Sequence, residues 1–247
     1  MNERKLFENS PNWHSEEEEF TKPSTMGADI DIEDAVICFE RKFYDLLIDE
    51  FELKKEAKGL PALIEGKIGD DIGVFKSYFG SPAAVMLLEA LIASDIDRAL
   101  MLGEAGSIAP KCSIGEIVIP TWGIREEGTS YHYFPPDHDV SPSKNIVKGL
   151  ENSVDKKIKK DGVWTIDAGF RETKGKINNY AHRGVLCVEM ECTALMAVAE
   201  YRDIDFASIL VITDEVFSDE WIRDFKGERV VDSKEEVMKG LKRFFEE

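Results

Sequence analysis

Two groups of carboxylates stand out in this chain by type and spacing: Glu189 and Glu191 on either side of Met190, and Asp214 next to Glu215. A carboxylate accepts hydrogen bonds from two adjacent hydroxyls. A buried carboxyl with a raised pKa can instead hold a proton and pass it to a leaving group. The structural alternatives are plain. Glu189 and Glu191 are favourable acids in the first turn of a helix, and Asp214 caps a turn.

The surrounding elements decide whether these acids can meet. Residues 186–188 are a short apolar run ending at the first pair. Residues 192–201 follow as a helix, with Leu195, Met196, Val198 and Ala199 on one face. Residues 206–213 are a β-branched apolar run, as expected of a strand covered on both faces, and end at Asp214. In an open parallel sheet, ligands bind outside the carboxyl ends of strands. Both acidic groups lie there, so this unit forms one wall of a site.

Composition excludes several functions. The chain has 247 residues, 43% hydrophobic, enough for a substantial core. Its net charge of −18 argues against a nucleic-acid groove. Small-molecule partners fit better. No apolar run reaches membrane-spanning length, and the first residues lack a signal-peptide core. Cys38, Cys112, Cys187 and Cys192 have no ligand spacing, so they read as reduced and structural, with no zinc site, in a cytoplasmic protein.

Residues 1–30 read as a polar, acidic arm, with His14 solvated or reaching a neighbouring subunit. Residues 31–247 read as one domain. Strands are expected at 35–39, 62–68, 72–78, 98–102, 116–120 and 163–166. The pair 62–68 and 72–78 is a hairpin turning at Gly69-Asp70-Asp71. Helices are expected at 42–51, 82–94 and 143–154. Residues 103–107, GEAGS, read as a strand-to-loop turn, either for close backbone approach to a ligand or simply tight. Residues 122–133 read as irregular and extended, and 218–229 as a polar loop around Trp221. A last helix over 233–245 starts at Ser233, with Glu236 completing a capping box. Alternating strands and helices give an α/β fold, with a mixed sheet.

Five segments, in order, resemble the nucleoside phosphorylase superfamily, which includes purine nucleoside phosphorylases, uridine phosphorylases and nucleosidases. They are LGEAGSIAPKCSIGEIVIP, IREEGTSYHYFPP, WTIDAGFRET, VEMECTALMAVAE and ILVITDEV. The second is most similar to the uridine phosphorylase branch. The resemblance covers roughly residues 30–245. It implies a three-layer α/β/α fold around a mixed, barrel-like sheet. It also implies a homo-oligomer, a dimer or hexamer. It implies no metal or organic cofactor, with phosphate as co-substrate if the chain is a phosphorylase.

Such enzymes break the bond between a ribose carbon and a base nitrogen, through an oxocarbenium-like transition state. The resemblance assigns Glu189, Met190 and Glu191 to the ribose, with Glu191 accepting the hydroxyls. It makes Asp214 the general acid toward the leaving base. Phe170, Arg171 and Glu172 become base-recognition candidates, or else a surface loop. His132 and Tyr133 either line the sugar or pack a strand. Asp214 is typical of purine-cleaving members, whereas IREEGTSYHY is uridine-like, so a purine or a pyrimidine nucleoside remains open.

The nucleophile side departs from the family. Its first phosphate loop corresponds to residues 38–43, CFERKF, where the family's Gly is Phe39 and its Arg is Phe43. In its second element, residues 101–106, the Arg is Met101 and the hydroxyl is Glu104, flanked by Gly103 and Gly106. A carboxylate repels phosphate. Three readings follow. Phosphate binds unusually, through Arg41 or Arg223. Glu104 activates a water as general base in a hydrolase. Or the chain binds nucleosides without catalysis.

Overall fold

A computed structural model describes residues 19–25, 30–59 and 65–246. The strands are β1 (Asp34–Cys38), β2 (Lys55–Glu56), β3 (Glu65–Ile68), β4 (Ile72–Lys76), β5 (Arg98–Ser107), β6 (Ile117–Glu126), β7 (Ile158–Ile166), β8 (Val185–Glu189), β9 (Asp205–Glu215) and β10 (Ile222–Arg223). The helices are α1 (Arg41–Glu50), α2 (Ser81–Ile92), α3 (Lys144–Ser153), α4 (Lys174–His182), α5 (Cys192–Arg202) and α6 (Glu228–Glu246).

The strands form one mixed sheet in the order β10-β9-β6-β7-β8-β5-β1-β4-β3-β2, and β9 also pairs with β5. That extra pairing closes β9-β6-β7-β8-β5 into a five-stranded barrel. β5 is its pivot, parallel to β1 and β9 but antiparallel to β8. Helices cover both faces. α2 and α5 contribute Leu88, Leu91, Leu195 and Val198 to one apolar cluster. α1, α3 and α6 contribute Leu47, Leu150, Val237 and Leu241 to the other. The three-layer, barrel-like architecture expected from the sequence is the one observed.

Several expected boundaries change. The GEAGS segment is not a loop: β5 runs through it to Ser107. Gly106 lies close to Asp214: a Cβ there would meet Asp214 Oδ2 at 3.0 Å. β6 extends to Glu126 and β7 begins at Ile158, since barrel neighbours supply ladder partners to their polar ends. α4 was not expected. It carries a single buried residue, Ile177, and so shows almost no apolar periodicity. α6 begins at Glu228, so Ser233 is not its cap. Val230, Lys234, Val237 and Leu241 form its buried stripe, while Ser233 Oγ donates to Gly115 O at 2.6 Å. The proposed capping box is therefore replaced by a tertiary contact.

The four cysteines are free and buried. Among the described residues, no helix is long and apolar enough to cross a membrane. His14 and most of the acidic arm lie outside the described residues, as does the start of the strand expected at 62–68.

Candidate active site

The acidic tetrapeptide joins β8 to α5. Glu189 ends β8 and is buried. Its Oε1 accepts from Thr165 Oγ1 at 2.5 Å, and its Oε2 accepts the Glu191 and Cys192 N–H groups at 2.7 Å each. Glu189 thus caps the N-terminus of α5, and most of its acceptor capacity serves the protein. Glu191, also buried, accepts the Gly80 N–H at 2.5 Å. Gly80 takes φ +103°, which favours glycine and lets its N–H meet that carboxylate where α2 begins. Ser81 Oγ donates to Met190 O at 2.7 Å, pinning the middle of the tetrapeptide. Burial raises the pKa of both glutamates; the Glu127 charge adds to the rise at Glu189 and the Glu189 charge to that at Glu191, while their hydrogen-bond donors oppose it.

Asp214 stands near the end of β9. Trp221 Nε1 donates to its Oδ2 at 2.6 Å and Thr213 Oγ1 to its Oδ1 at 3.1 Å. Burial pushes its pKa up, partly opposed by those two donors. Glu172 is half-buried, and burial with the nearby Asp214 charge pushes it up to about 7. A cleft of about 630 Å³ brings Asp214, Glu172, Glu189, Met190, Glu104 and Trp221 together. That volume suits a small organic ligand.

A smaller chamber of about 150 Å³ adjoins it, sharing Glu104, Glu189 and Met190. Glu191, Gly103, Glu40, Phe39 and Phe79 also line it. Phe39 and Phe79 stack at 6.2 Å. Glu40 is the N-cap of α1, its Oε2 accepting the Phe43 N–H at 3.1 Å. A helix N-terminus is a ready anion site; here the protein's own carboxylate already occupies it. Glu104 pairs with Lys234 of α6. Burial raises the Glu104 pKa, and Lys234 opposes the rise.

The expected site residues therefore divide. Glu104, Glu172, Glu189, Met190, Glu191 and Asp214 share the connected cavities, with Gly103 and Gly106 in their walls. Phe170 reaches the rim of the larger cleft but is fully exposed. Arg171 is exposed and does not line that cleft. Arg41 does not serve the chamber: its guanidinium meets Glu65 at 2.5 Å and Asp45 at 3.7 Å on the outer surface. Arg223 is also misplaced for that role. It pairs across the ladder with Asp214, at the other end of the cavity, and stacks 4.6 Å from the Trp221 ring. Tyr133 packs, its hydroxyl donating to Glu89 at 2.8 Å.

Sequence reasoning missed Lys234, Thr165 and the capping role of Glu40. Lys234 did carry a signal, as a lysine on the apolar stripe of α6. The IREEGTSYHYFPP segment is also used internally. Arg125 donates to Ser130 Oγ and to the carbonyls of Phe134, Pro135 and His138 at 2.8–2.9 Å. Glu127 is buried and accepts the Ser130 N–H at 2.8 Å.

Comparison with known proteins gives a consistent picture. The phosphorylase superfamily model matches residues 39–246. A guanosine phosphorylase of Halorubrum lacusprofundi is 23% identical over 170 residues, covering 67% of this chain and 70% of that protein. A DeoD-type purine nucleoside phosphorylase of Bacillus cereus is 25% identical, over 62% of this chain and 67% of the relative. Among solved structures, Toxoplasma gondii purine nucleoside phosphorylase in complex with immucillin-H superposes with a TM-score of 0.77 at 17% identity, covering 90% of this chain and 91% of that one. AMP nucleosidase from Bacteroides thetaiotaomicron superposes with a TM-score of 0.69 at 17% identity, covering 87% and 88%. At those identities the structural likeness carries the fold alone.

Proposed function

Since this chain belongs to the phosphorylase superfamily, a superfamily of nucleoside phosphorylases and nucleosidases, we propose that it cleaves the N-glycosidic bond of a purine nucleoside, with water as the nucleophile. Glu191 and Met190 hold the ribose, Glu191 through the carboxylate oxygen not used by Gly80. Asp214, its pKa raised by burial, faces the base and in its protonated form is the acid. Glu104 takes a proton from water. The water oxygen bonds to the ribose carbon as the carbon–nitrogen bond breaks. That bond's electron pair leaves with the base, which Asp214 protonates. The products are free ribose and free base.

The observation that carries water over phosphate is the charge of the smaller chamber. Glu40, Glu104, Glu189 and Glu191 line it, and Lys234 behind it is already paired with Glu104. An incoming phosphate dianion would meet carboxylates at close range in a poorly solvated space. Asp214 supports a purine, because a carboxyl there can protonate a ring nitrogen. The uridine-like segment does not oppose this, since Arg125 and Glu127 are committed inside the protein.

Phosphorolysis is the second reading. The relatives named above are phosphorylases, and Lys234 would supply a cation if Glu104 swung away. Base release from guanosine, inosine, adenosine and uridine, with and without phosphate, separates the two. Purine release that ignores phosphate is expected, with free ribose formed. Ribose 1-phosphate formed only with phosphate present would replace hydrolysis by phosphorolysis. A bound nucleoside that is never cleaved would leave a binding protein.

A further inference from the structure

We infer that Lys234 is a positioning residue for the nucleophile: from α6 it holds the Glu104 carboxylate, on the opposite side of the chamber from the ribose wall, turned toward the reacting face. This rests on the reading of Glu104 as the base for water.

Three observations carry it. Lys234 is only 5% exposed, on a helix whose neighbouring buried positions are Val230, Val237 and Leu241. A lysine buried there is costly unless its charge is met. Its Nζ pairs with Glu104 Oε1, and it lies 4.7 Å from the centroid of the Phe43 ring. The aromatic face adds to the stabilisation of the ammonium. Finally, the helix turn carrying Lys234 is fixed. The adjacent Ser233 donates to Gly115 O at 2.6 Å. The ammonium is therefore held by the backbone of α6, by Phe43 of α1 and by Glu104 of β5 together.

The surrounding charges make Lys234 decisive. Glu40, from the cap of α1, and Asp214, from β9, both act on Glu104 and favour its neutral form. Glu189 and Glu191, from the β8–α5 junction, line the same chamber. Lys174, at the start of α4 on the larger cleft, is exposed and engaged with Asp219 at 2.7 Å. Lys234 alone among these groups is a cation against Glu104. Lys234 lines neither cavity, so it acts through Glu104 and does not touch substrate.

The test uses the full chain with 13C-labelled glutamate carboxyls. The resonance missing in Glu104→Gln identifies Glu104, and its titration is followed in the wild type, Lys234→Met and Lys234→Arg. The pH profile of kcat/KM is recorded for each. Lys234→Met is expected to raise both the Glu104 titration and the acid limb of the profile by roughly one to two pH units, the scale of losing one close opposite charge. Below that limb, each unit is about a tenfold loss of rate. Lys234→Arg is expected to bring both back toward the wild type. If Lys234→Met does not fold, Lys234→Arg and Lys234→Gln carry the comparison, since one keeps the charge and the other removes it. An unmoved Glu104 titration overturns the inference. A moved titration with an unmoved acid limb overturns it as well, by showing that Glu104 is not the working base. Failure of the functional reading is separately visible, as a wild-type protein that releases no base from any nucleoside.

Discussion

At the β8–α5 junction, two carboxylates are met mainly by backbone N–H groups; across the chamber, the Glu104 carboxylate of β5 is met by a lysine side chain brought from α6. Glu189 takes two N–H donors of α5 and one hydroxyl, and Glu191 takes the Gly80 N–H. These contacts come from the β8–α5 unit itself, from Thr165 on β7 and from Gly80 at the start of α2. Glu104 relies on the side chain of Lys234, and Glu40 turns back on its own helix. The charge balance of the second region therefore depends on α6.

The largest expected effect tests the base end of this comparison. Asp214→Asn is expected to lower kcat/KM for a purine nucleoside by about 10²–10⁴-fold, the usual worth of a positioned acid. Steady-state rates check it, and little change would remove Asp214 as the proton donor. Glu104→Gln comes next. It should cost on the order of 10²-fold in phosphate-independent base release while leaving nucleoside binding, read by calorimetry, close to the wild type. A loss of binding instead would make the two regions one. On the capping side, Glu189→Ala leaves the Thr165 hydroxyl and two N–H groups without their acceptor. Unfolding in denaturant should show a loss of about 3 kcal/mol, at 1–3 kcal/mol for an orphaned buried group. A loss near zero would mean that Glu189 is not a structural cap.

Smaller effects sharpen the pH behaviour. Trp221→Phe removes a donor that favours ionised Asp214. The Asp214 pKa should rise, and the basic limb of kcat/KM, where the acid loses its proton, should move to higher pH. A shift to lower pH would contradict the hydrogen bond. The smallest effect is at Glu172. Its carboxyl, ordinarily near 4.5, is pushed up to about 7 in the fold. It holds its proton more tightly folded than unfolded. Its contribution to stability is therefore full below 4.5 and is lost as pH rises to about 7. Glu172→Gln should flatten that decline, raising Tm by roughly 2 °C at pH 8 relative to wild type, since a half-exposed group is worth under about 1 kcal/mol.

What the sequence determined by itself was local. The apolar runs at 186–188 and 206–213, with the helix between them, placed Glu189, Glu191 and Asp214 at strand ends, because periodicity and strand polarity are properties of contiguous residues. The family segments extended this to the three-layer fold. Tertiary structure decided the rest. β5 passes straight through the glycines of GEAGS because β9 pairs with it along its whole length. Ser233 is drawn from a helix cap to Gly115 because α6 begins a turn earlier. Arg41 and Arg223 are spent on Glu65 and on Trp221. Lys234 reaches Glu104 only once α6 folds back on the sheet. A charge's role depends on which charges surround it in space, and those distances are set by packing between elements far apart in the chain.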